Sequence, residues 1–444
     1  MFSRVEKHLL IAGVVVYITR MLGLFMLLPV LAIYAADLPG ASAFTLGLAL
    51  GVYGLTQGAM QIPMGWISDR FGRRPVILAG LLLFSLGTLV AALATNMPVL
   101  ILGRALQGFG AISSTLLALV GDSSREENRS KIMAVIGISI GFSFGLAMVF
   151  GPMIGAQGGL PVIFWTILGL CLLSLLVAWR WLPESKPSSR PQADVHWSEV
   201  LKNANLVRLD IGVLLLHCIQ MSMWVAVPVM LVSKFELPVA SHWWVYLVAV
   251  FGSFILMAPF MQWMEKRRRY RGMILSGVVA IFIAQLLLGR TGELPFFVAA
   301  LFLFFWGFNL LEATLPSLTS KVVEGSRRGL AMGTFSTSQF IGAFLGGISG
   351  GWIGHTDNLE NIFIAAAALA LIWFFVALGL QQPKQIRSLV FRLDELREAS
   401  QTELLSIAGV VTVQEFREQG EILLRLDDEH LDKSALEMYV GRTI

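Results

Sequence analysis

Twelve stretches of this 444-residue chain are each long and apolar enough to cross a bilayer, and that constrains its fold more than any other feature. A helix needs about 20 apolar residues to span a hydrocarbon core of roughly 30 Å. Runs of that kind lie near residues 8–34, 45–66, 75–95, 98–120, 131–156, 161–182, 208–233, 241–264, 272–289, 294–320, 329–354 and 360–380. Composition supports the same solvent: 56% of residues are hydrophobic and 14% charged, where soluble domains carry about 25% charged. The first run follows Arg4 and Lys7 as a signal peptide would. It is far longer than a signal h-region and holds Arg20 at its middle, so it reads as an uncleaved helix. Cys171 and Cys218 each sit inside an apolar run, with no CxxC pair and no disulfide framework.

One gap differs from the rest. WLPESKPSSRPQADVHWSEVLKNAN (181–205) is rich in Pro, Ser and charge, and it divides the spans six and six. The expected organisation is a six-helix bundle over 1–183, a linker over 184–207, a second bundle over 208–381 and a soluble tail over 382–444. Lysine and arginine set the orientation. With the amino terminus inside, the inner face up to Arg387 holds 23 of them and the outer loops hold two, Lys234 and Arg290. The positive-inside rule then puts both termini in the cytoplasm. The net charge of +4 is small and unevenly spread, which argues for membrane orientation and against a nucleic-acid partner.

The halves resemble each other weakly. Shifting the sequence by 196 places Asp69-Arg70 over Glu265-Lys266, in the basic loop EKRRRYR, although the second loop lacks glycines. Glycines at four-residue spacing occur in span 5 (Gly137, Gly141, Gly145) and span 11 (Gly342, Gly346, Gly350, Gly354). Such rows let helix backbones approach closely, and they are equally consistent with packing that has no mechanism.

The loop between spans 2 and 3 reads GWISDRFGRRP (65–75), four charges between two stretches that carry none. It resembles the signature of the major facilitator superfamily, through Gly65, Asp69, Arg70, Gly72, Arg73 and Arg74. LGRALQGFGA (102–111) in span 4 resembles the Arg-x-x-Gln-Gly pattern of its drug:proton antiporter branch, through Arg104, Gln107 and Gly108. AMVFGPMIGA (147–156) in span 5 resembles that branch's antiporter motif, through Gly151, Pro152 and Gly155, with Ala147 and Ala156 where the fuller pattern has glycine. The resemblance implies an all-α membrane fold of two six-helix bundles in a bacterial inner membrane. It also implies that Asp69 accepts hydrogen bonds from the start of span 11 near Gly329, where the helix dipole favours an anion. Arg73 can reach an acidic partner, with Asp122 the best candidate, and Gly65 and Gly72 allow close packing and a tight turn. Together these would latch the halves on the cytoplasmic side. A plain positive-inside loop would explain the arginines but leave Asp69 and the glycines idle.

Ionisable residues in mid-span are functional candidates by default, and four stand out: Arg20 in span 1, Arg104 in span 4, His217 in span 7 and Glu312 in span 10. In the family, helices 1, 4, 7 and 10 line the central cavity. Glu312 is the only carboxylate well inside a span, and it suits either proton coupling or a fixed ion pair with an arginine. Arg20 suits pairing with Glu312 or attraction of an anionic substrate. His217 suits titration or simple packing, and Asp37 lies near an outer end. By resemblance, Arg104 couples proton movement to substrate exchange. Gln57, Gln61 and Gln220 can add hydrogen bonds, and Trp224, Trp306 and Phe308 suit a greasy pocket.

After Gln381 the chain turns soluble in character. SLVFRL (388–393), VVTVQEF (410–416) and EILLRLD (421–427) read as strands, and 394–408 and 430–440 as helices. The order βαββα is a ferredoxin-like unit without its last strand, as a trimmed chain end would leave it. The tail has no cysteine for a thiolate metal. Its DDEHLD (427–432) reads as a solvated loop with a helix cap, or less readily as a hard-cation site. Nucleotide loop, nucleophile elbow and metal cluster are all missing from the sequence, so no enzyme and no cofactor is expected, and nothing bears on oligomeric state. The expected function is proton-coupled efflux of a small hydrophobic or amphipathic substrate through the lipid bilayer. The alternatives are a uniporter or importer of a polar metabolite, and a membrane sensor that relays its state through the tail.

Overall fold

Helices in the larger part of the computed structural model begin where a polar cap precedes an apolar run. Ser3 and Glu6 form a reciprocal capping box for α1 (Arg4–Phe25), α2 is a single turn (Leu31–Tyr34), and Ser42 with Thr45 repeats the box for α3 (Ala43–Phe71). α3 stops at Gly72, whose φ of +93° lets α4 (Arg73–Ala92) start on the next residue. Asn96 caps α5 (Met97–Phe109), which is followed by α6 (Ser113–Ser123) and a long α7 (Glu126–Trp181). Asn203 caps α8 (Ala204–Ser233). A 3-10 turn (Val239–Ser241), α9 (His242–Tyr246), a π segment (Leu247–Gly252) and α10 (Ser253–Lys266) then run on end to end. α11 (Tyr270–Leu288), α12 (Leu294–Val322), α13 (Arg328–Gly354) and α14 (Glu360–Leu378) complete this part. The structure describes residues 3–184, 202–323, 328–355, 358–381, 386–392, 401–416, 421–427 and 431–440. The predicted linker therefore lies largely outside the described residues.

Among the described residues, ten helices are long and apolar enough to cross a membrane. One of them, Lys131–Trp181, has 51 residues, about 75 Å of helix, and so holds two spans. It bends at Gly158 and Gly159, which depart from helical angles. α13 is 27 residues long, but its glycines and hydroxyls dilute its apolar content. Counting both gives the twelve spans expected. Large side chains such as Ile138, Ile255 and Trp352 point outward from the helices, as a lipid-facing surface requires.

Three spans are not the continuous helices that hydropathy suggested. Span 1 ends as a helix at Phe25 and reaches Tyr34 through turns around Pro29. Span 4 breaks at Gly110–Ile112 between α5 and α6. Span 8 carries the π segment, where Asn309 of α12 donates to Ser253 Oγ at 2.9 Å.

α13 is the wedge of the fold. Added Cβ atoms at Gly342 and Gly346 would overlap the carbonyls of Leu214 and Cys218 on α8, and one at Gly350 would lie 2.8 Å from Ser222 Cα. On its other face, Cβ atoms at Gly51 and Gly54 of α3 would lie 2.8 and 2.7 Å from the carbonyl oxygens of Phe344 and Phe340. This second face is a seam between the halves. It loosens toward the Asp69 loop: Gly58 still meets Phe340, whereas Gly65 has only Ser114 of α6 within 4 Å, and Gly329 and Gly333 face open space. The α7 seam behaves alike: an added Cβ at Gly145 would lie 2.5 Å from the Phe251 ring, one at Gly141 3.7 Å from the Phe254 ring, and one at Gly137 would face open space.

Residues Met1–Gln381 form one compact unit and Gln382–Ile444 a second. The second contains β1 (Ile386–Arg392), α15 (Gln401–Ser406), β2 (Val410–Phe416), β3 (Glu421–Asp427) and α16 (Lys433–Val440). β3 lies between β1 and β2, antiparallel to both. Ile422, Leu424 and Leu426 alternate onto one face and pack with Phe391, Leu404 and Leu436. Among the described residues this is a three-stranded sheet in the strand order of a ferredoxin-like unit. Asp432 caps α16 by accepting from the Ala435 N–H at 3.0 Å, while 428–430 and much of the predicted first helix lie outside the described residues.

Candidate functional site

Three helices of the second half bring one acid, one imidazole and one carboxamide together. His217 on α8 stands with Nε2 3.5 Å from Glu312 Oε2 on α12. Gln339 on α13 has its Nε2 3.3 Å from Glu312 Oε1 and 2.9 Å from His217 Nε2. The His217 Nδ1 lies 3.1 Å from the Val213 carbonyl. A carbonyl only accepts, so Nδ1 carries the proton in the neutral ring, and Nε2 is left to accept from Gln339. The Glu312 side chain is 42% exposed and that of His217 10%, so the acid faces water while the ring is packed edge-on to Phe308. Gln339 escaped the sequence reading. Its one signal was being the only carboxamide in a run of glycine, serine and small apolar residues.

The two arginines are placed differently. Arg20 does not pair with Glu312, because its own half holds it: Nη2 donates to Gln57 Oε1 at 2.7 Å and lies 3.4 Å from the Tyr53 hydroxyl, which itself donates to Gln57 at 3.0 Å. Arg104 is 0% exposed and lies inside the first half rather than on a wetted wall. Its Nε donates to the Ala49 carbonyl at 3.1 Å, its Nη1 to Gln107 Oε1 at 2.8 Å, and its guanidinium lies over the Tyr53 ring. Gln107 passes the chain on to Thr88 at 2.9 Å. Gly108 makes this possible by backbone contact with α3, since a Cβ there would overlap Thr56 Oγ1 and come within 2.5 Å of the Tyr53 carbonyl. Gly108→Ala is therefore expected to cost about 1–3 kcal/mol by overpacking, read as a lower thermal unfolding midpoint of the purified protein.

The charged loop folds as a cluster. Arg73 pairs with Asp69 at 2.5 Å one turn away and with Asp122 at 3.1 Å, and it donates to Ser68 Oγ at 2.6 Å. Arg74 reaches Glu184 at 2.9 Å and the Trp179 carbonyl, while Arg70 lies over the rings of Trp66 and Phe71. Residues 324–327, which precede α13, lie outside the described residues. A neighbouring clamp went unseen in the sequence: buried Glu6 accepts from the Arg125 N–H at 3.0 Å, from its guanidinium at 3.1 Å and from Asn128 Nδ2 at 3.1 Å, tying the start of α1 to that of α7. Gly151, next to Pro152, and Gly155 pack α7 on the end of span 1, where Cβ atoms would come within 2.5 Å of the Met26 carbonyl and 2.8 Å of the Tyr34 ring.

Known proteins resemble this chain in sequence and fold. The Major Facilitator Superfamily profile matches residues 13–288 and 209–405. The inner membrane transport protein YajR of Escherichia coli K12 is 38% identical over 434 residues, covering 96% of this chain and 95% of YajR. The multidrug resistance protein MdtH of Photorhabdus laumondii is 26% identical over 347 residues, covering 77% of this chain and 85% of MdtH. The solved structure of a bacterial homologue of the human lysosomal transporter Spinster, inward-facing and occupied, superposes with a TM-score of 0.69 at 14% identity, covering 86% of this chain and 98% of that one.

Proposed function

This chain belongs to the Major Facilitator Superfamily and is a multi-pass membrane transporter, and we propose that it is a proton-coupled antiporter exporting small hydrophobic or amphipathic compounds by alternating access. One observation carries the proton coupling: the wetted Glu312 lies beside a ring nitrogen that is unprotonated when His217 is neutral. A proton arriving at Nε2 turns that nitrogen from acceptor to donor, so Gln339 can no longer donate to it and the imidazolium pairs with Glu312 instead. Because Gln339 rides on α13, the helix wedged between the halves, the change in charge acts directly on the seam. That the relative MdtH is a multidrug resistance protein supports export as the direction.

Orientation follows from charge. The loosened end of the α3–α13 seam carries Arg70, Arg73 and Arg74, which the positive-inside rule assigns to the cytoplasm of a protein in the inner membrane with both termini inside. In the opposite state the Asp69–Arg73–Asp122 cluster would meet the start of α13 and hold that end shut, a bias of about a few kcal/mol. Gln382–Ile444 would be a cytoplasmic module on the last helix.

Everted membrane vesicles with an imposed pH gradient test this reading. A panel of lipophilic and amphipathic compounds should include one that dissipates the gradient with the wild type. Glu312→Gln should abolish that response, while His217→Asn should reduce it. Substrate accumulation without any proton movement in the wild type would replace antiport with uniport.

A further inference from the structure

Two of the buried charges of the first half are arginines far from its one carboxylate buried among the described residues, Glu6, which Arg125 already pairs. Arg20 is 3% and Arg104 0% exposed, yet the carboxylates between Glu6 and Glu184 are Asp37, Asp69, Asp122, Glu126 and Glu127, all at helix ends. Among the described residues, neither arginine has an ion-pair partner. A guanidinium held away from water without a counter-ion is costly and marks a place where something negative is wanted.

Arg20 is aimed at such a place. Gln57 and Tyr53 occupy Nη2, whereas Nε has no partner. Nη1 points at Ser113 Oγ from 3.5 Å, too far for a firm bond. Ser113 opens α6, the second piece of the interrupted span 4, an eleven-residue helix whose cap position is Ile112 and which no side chain caps. Among the described residues, the N–H groups of Ser113, Ser114 and Thr115 have no recorded acceptor. A helix start of this kind carries about half a positive charge and readily takes an anion. The break in span 4 thus leaves free N–H groups on the residue that Arg20 approaches, and Arg20 itself lacks an ion-pair partner among the described residues. Ser113 and Ser114 are partly exposed, so the spot can be reached.

We propose that Arg20 and the start of α6 form an anion-binding site that takes a compact monoanion, either the carboxylate of an amphipathic substrate or an inorganic halide. This deepens the transporter reading by naming a substrate chemistry, and it rests on that reading for the site's place in a transport path. The binding test runs at a single pH with no gradient, so its failure would leave proton coupling standing, and a failure of proton coupling would leave it standing.

Thermal unfolding of the full chain in nanodiscs, in a zwitterionic buffer, gives the readout, with sodium benzoate, neutral benzamide and sodium chloride as probes. Benzoate should raise the midpoint saturably and benzamide should not. Arg20→Gln should weaken the apparent benzoate affinity roughly 10- to 100-fold, the loss of a charged hydrogen-bond partner. Ser113→Asp puts a carboxylate at the helix start, so it should raise the midpoint without any anion and abolish the benzoate response. It also keeps the test decisive should Arg20→Gln fail to fold. Chloride competing with benzoate assigns the site to both sources, and a response to chloride alone assigns it to a halide. Equal effects of benzoate and benzamide, no response of the wild type to either anion, or a wild-type benzoate response in Ser113→Asp would overturn the proposal.

Discussion

Gly347→Ala is expected to drive the transporter toward the form that opens at the Gly47 end, whereas its neighbour Gly346→Ala is expected to weaken the fold. The two residues differ only in which helix they touch. A Cβ at Gly347 would lie 2.5 Å from the Gly47 carbonyl and 2.8 Å from the Gly51 nitrogen, across the seam between the halves. One at Gly346 would overlap the Cys218 carbonyl on α8, within its own half. Backbone cannot yield as a side-chain tip does, so each methyl costs about 1–3 kcal/mol. In the proposed alternating-access cycle the α3–α13 seam parts, so for Gly347 that cost would fall on one state alone and move the two-state ratio about 10- to 100-fold. The α8–α13 contact lies within one rigid half, so for Gly346 the cost falls on the fold. Spin labels at Phe44 and Trp352, exposed residues at the closed end of the seam, would read the separation, and thermal unfolding the stability. Unchanged distances in Gly347→Ala, with a midpoint lowered as in Gly346→Ala, would show that the seam is static packing.

That contrast also marks the limit of sequence reading. Glycines at 342, 346, 350 and 354 announce a smooth helix face through their spacing, but spacing does not say which helix lies against it. Gly347 and Gly351, on the face that governs alternation, fall outside the row. The charged loop was more legible, because a carboxylate and three arginines between apolar spans have few places to go, and Arg73 does reach Asp122. Mid-span charges were legible as residues and illegible as pairs. Charge attraction suggested Arg20 with Glu312. The structure directs Nη2 of Arg20 to neutral oxygens of its own half and gives Glu312 a ring and an amide. Hydropathy could not find the break in span 4, since Gly110, Ala111 and Ile112 are as apolar as a helix would be. Only the neighbouring helices decide that they unwind.

Replacing Arg104 with methionine is expected to leave the protein at least as stable as before while lowering transport about a hundredfold, ~3 kcal/mol of lost coupling. The side chain is fully buried, its Nη2 has no partner and no carboxylate is paired with it. An apolar replacement of similar length removes the cost of holding that charge in a low dielectric, and such exchanges are commonly neutral or stabilising. Against that gain, the Ala49 carbonyl and Gln107 Oε1 each lose one donor, while Gln107 Nε2 keeps its bond to Thr88 at 2.9 Å. A residue that burdens the fold is retained for what its charge does. Both arginines meet at Tyr53, Arg104 over the ring at 5.2 Å and Arg20 at the hydroxyl at 3.4 Å. The Arg104 charge therefore bears on the hydrogen bond from Tyr53 to Gln57, and through it on how firmly Arg20 is held. Arg104→Lys separates charge from shape, because an ammonium keeps the charge and loses the planar fork that spans Ala49 and Gln107. If charge is what matters, the lysine variant should recover part of the transport that methionine loses. A methionine variant that unfolds several degrees below the wild type would instead make Arg104 a structural brace, and one that transports normally would remove it from coupling altogether.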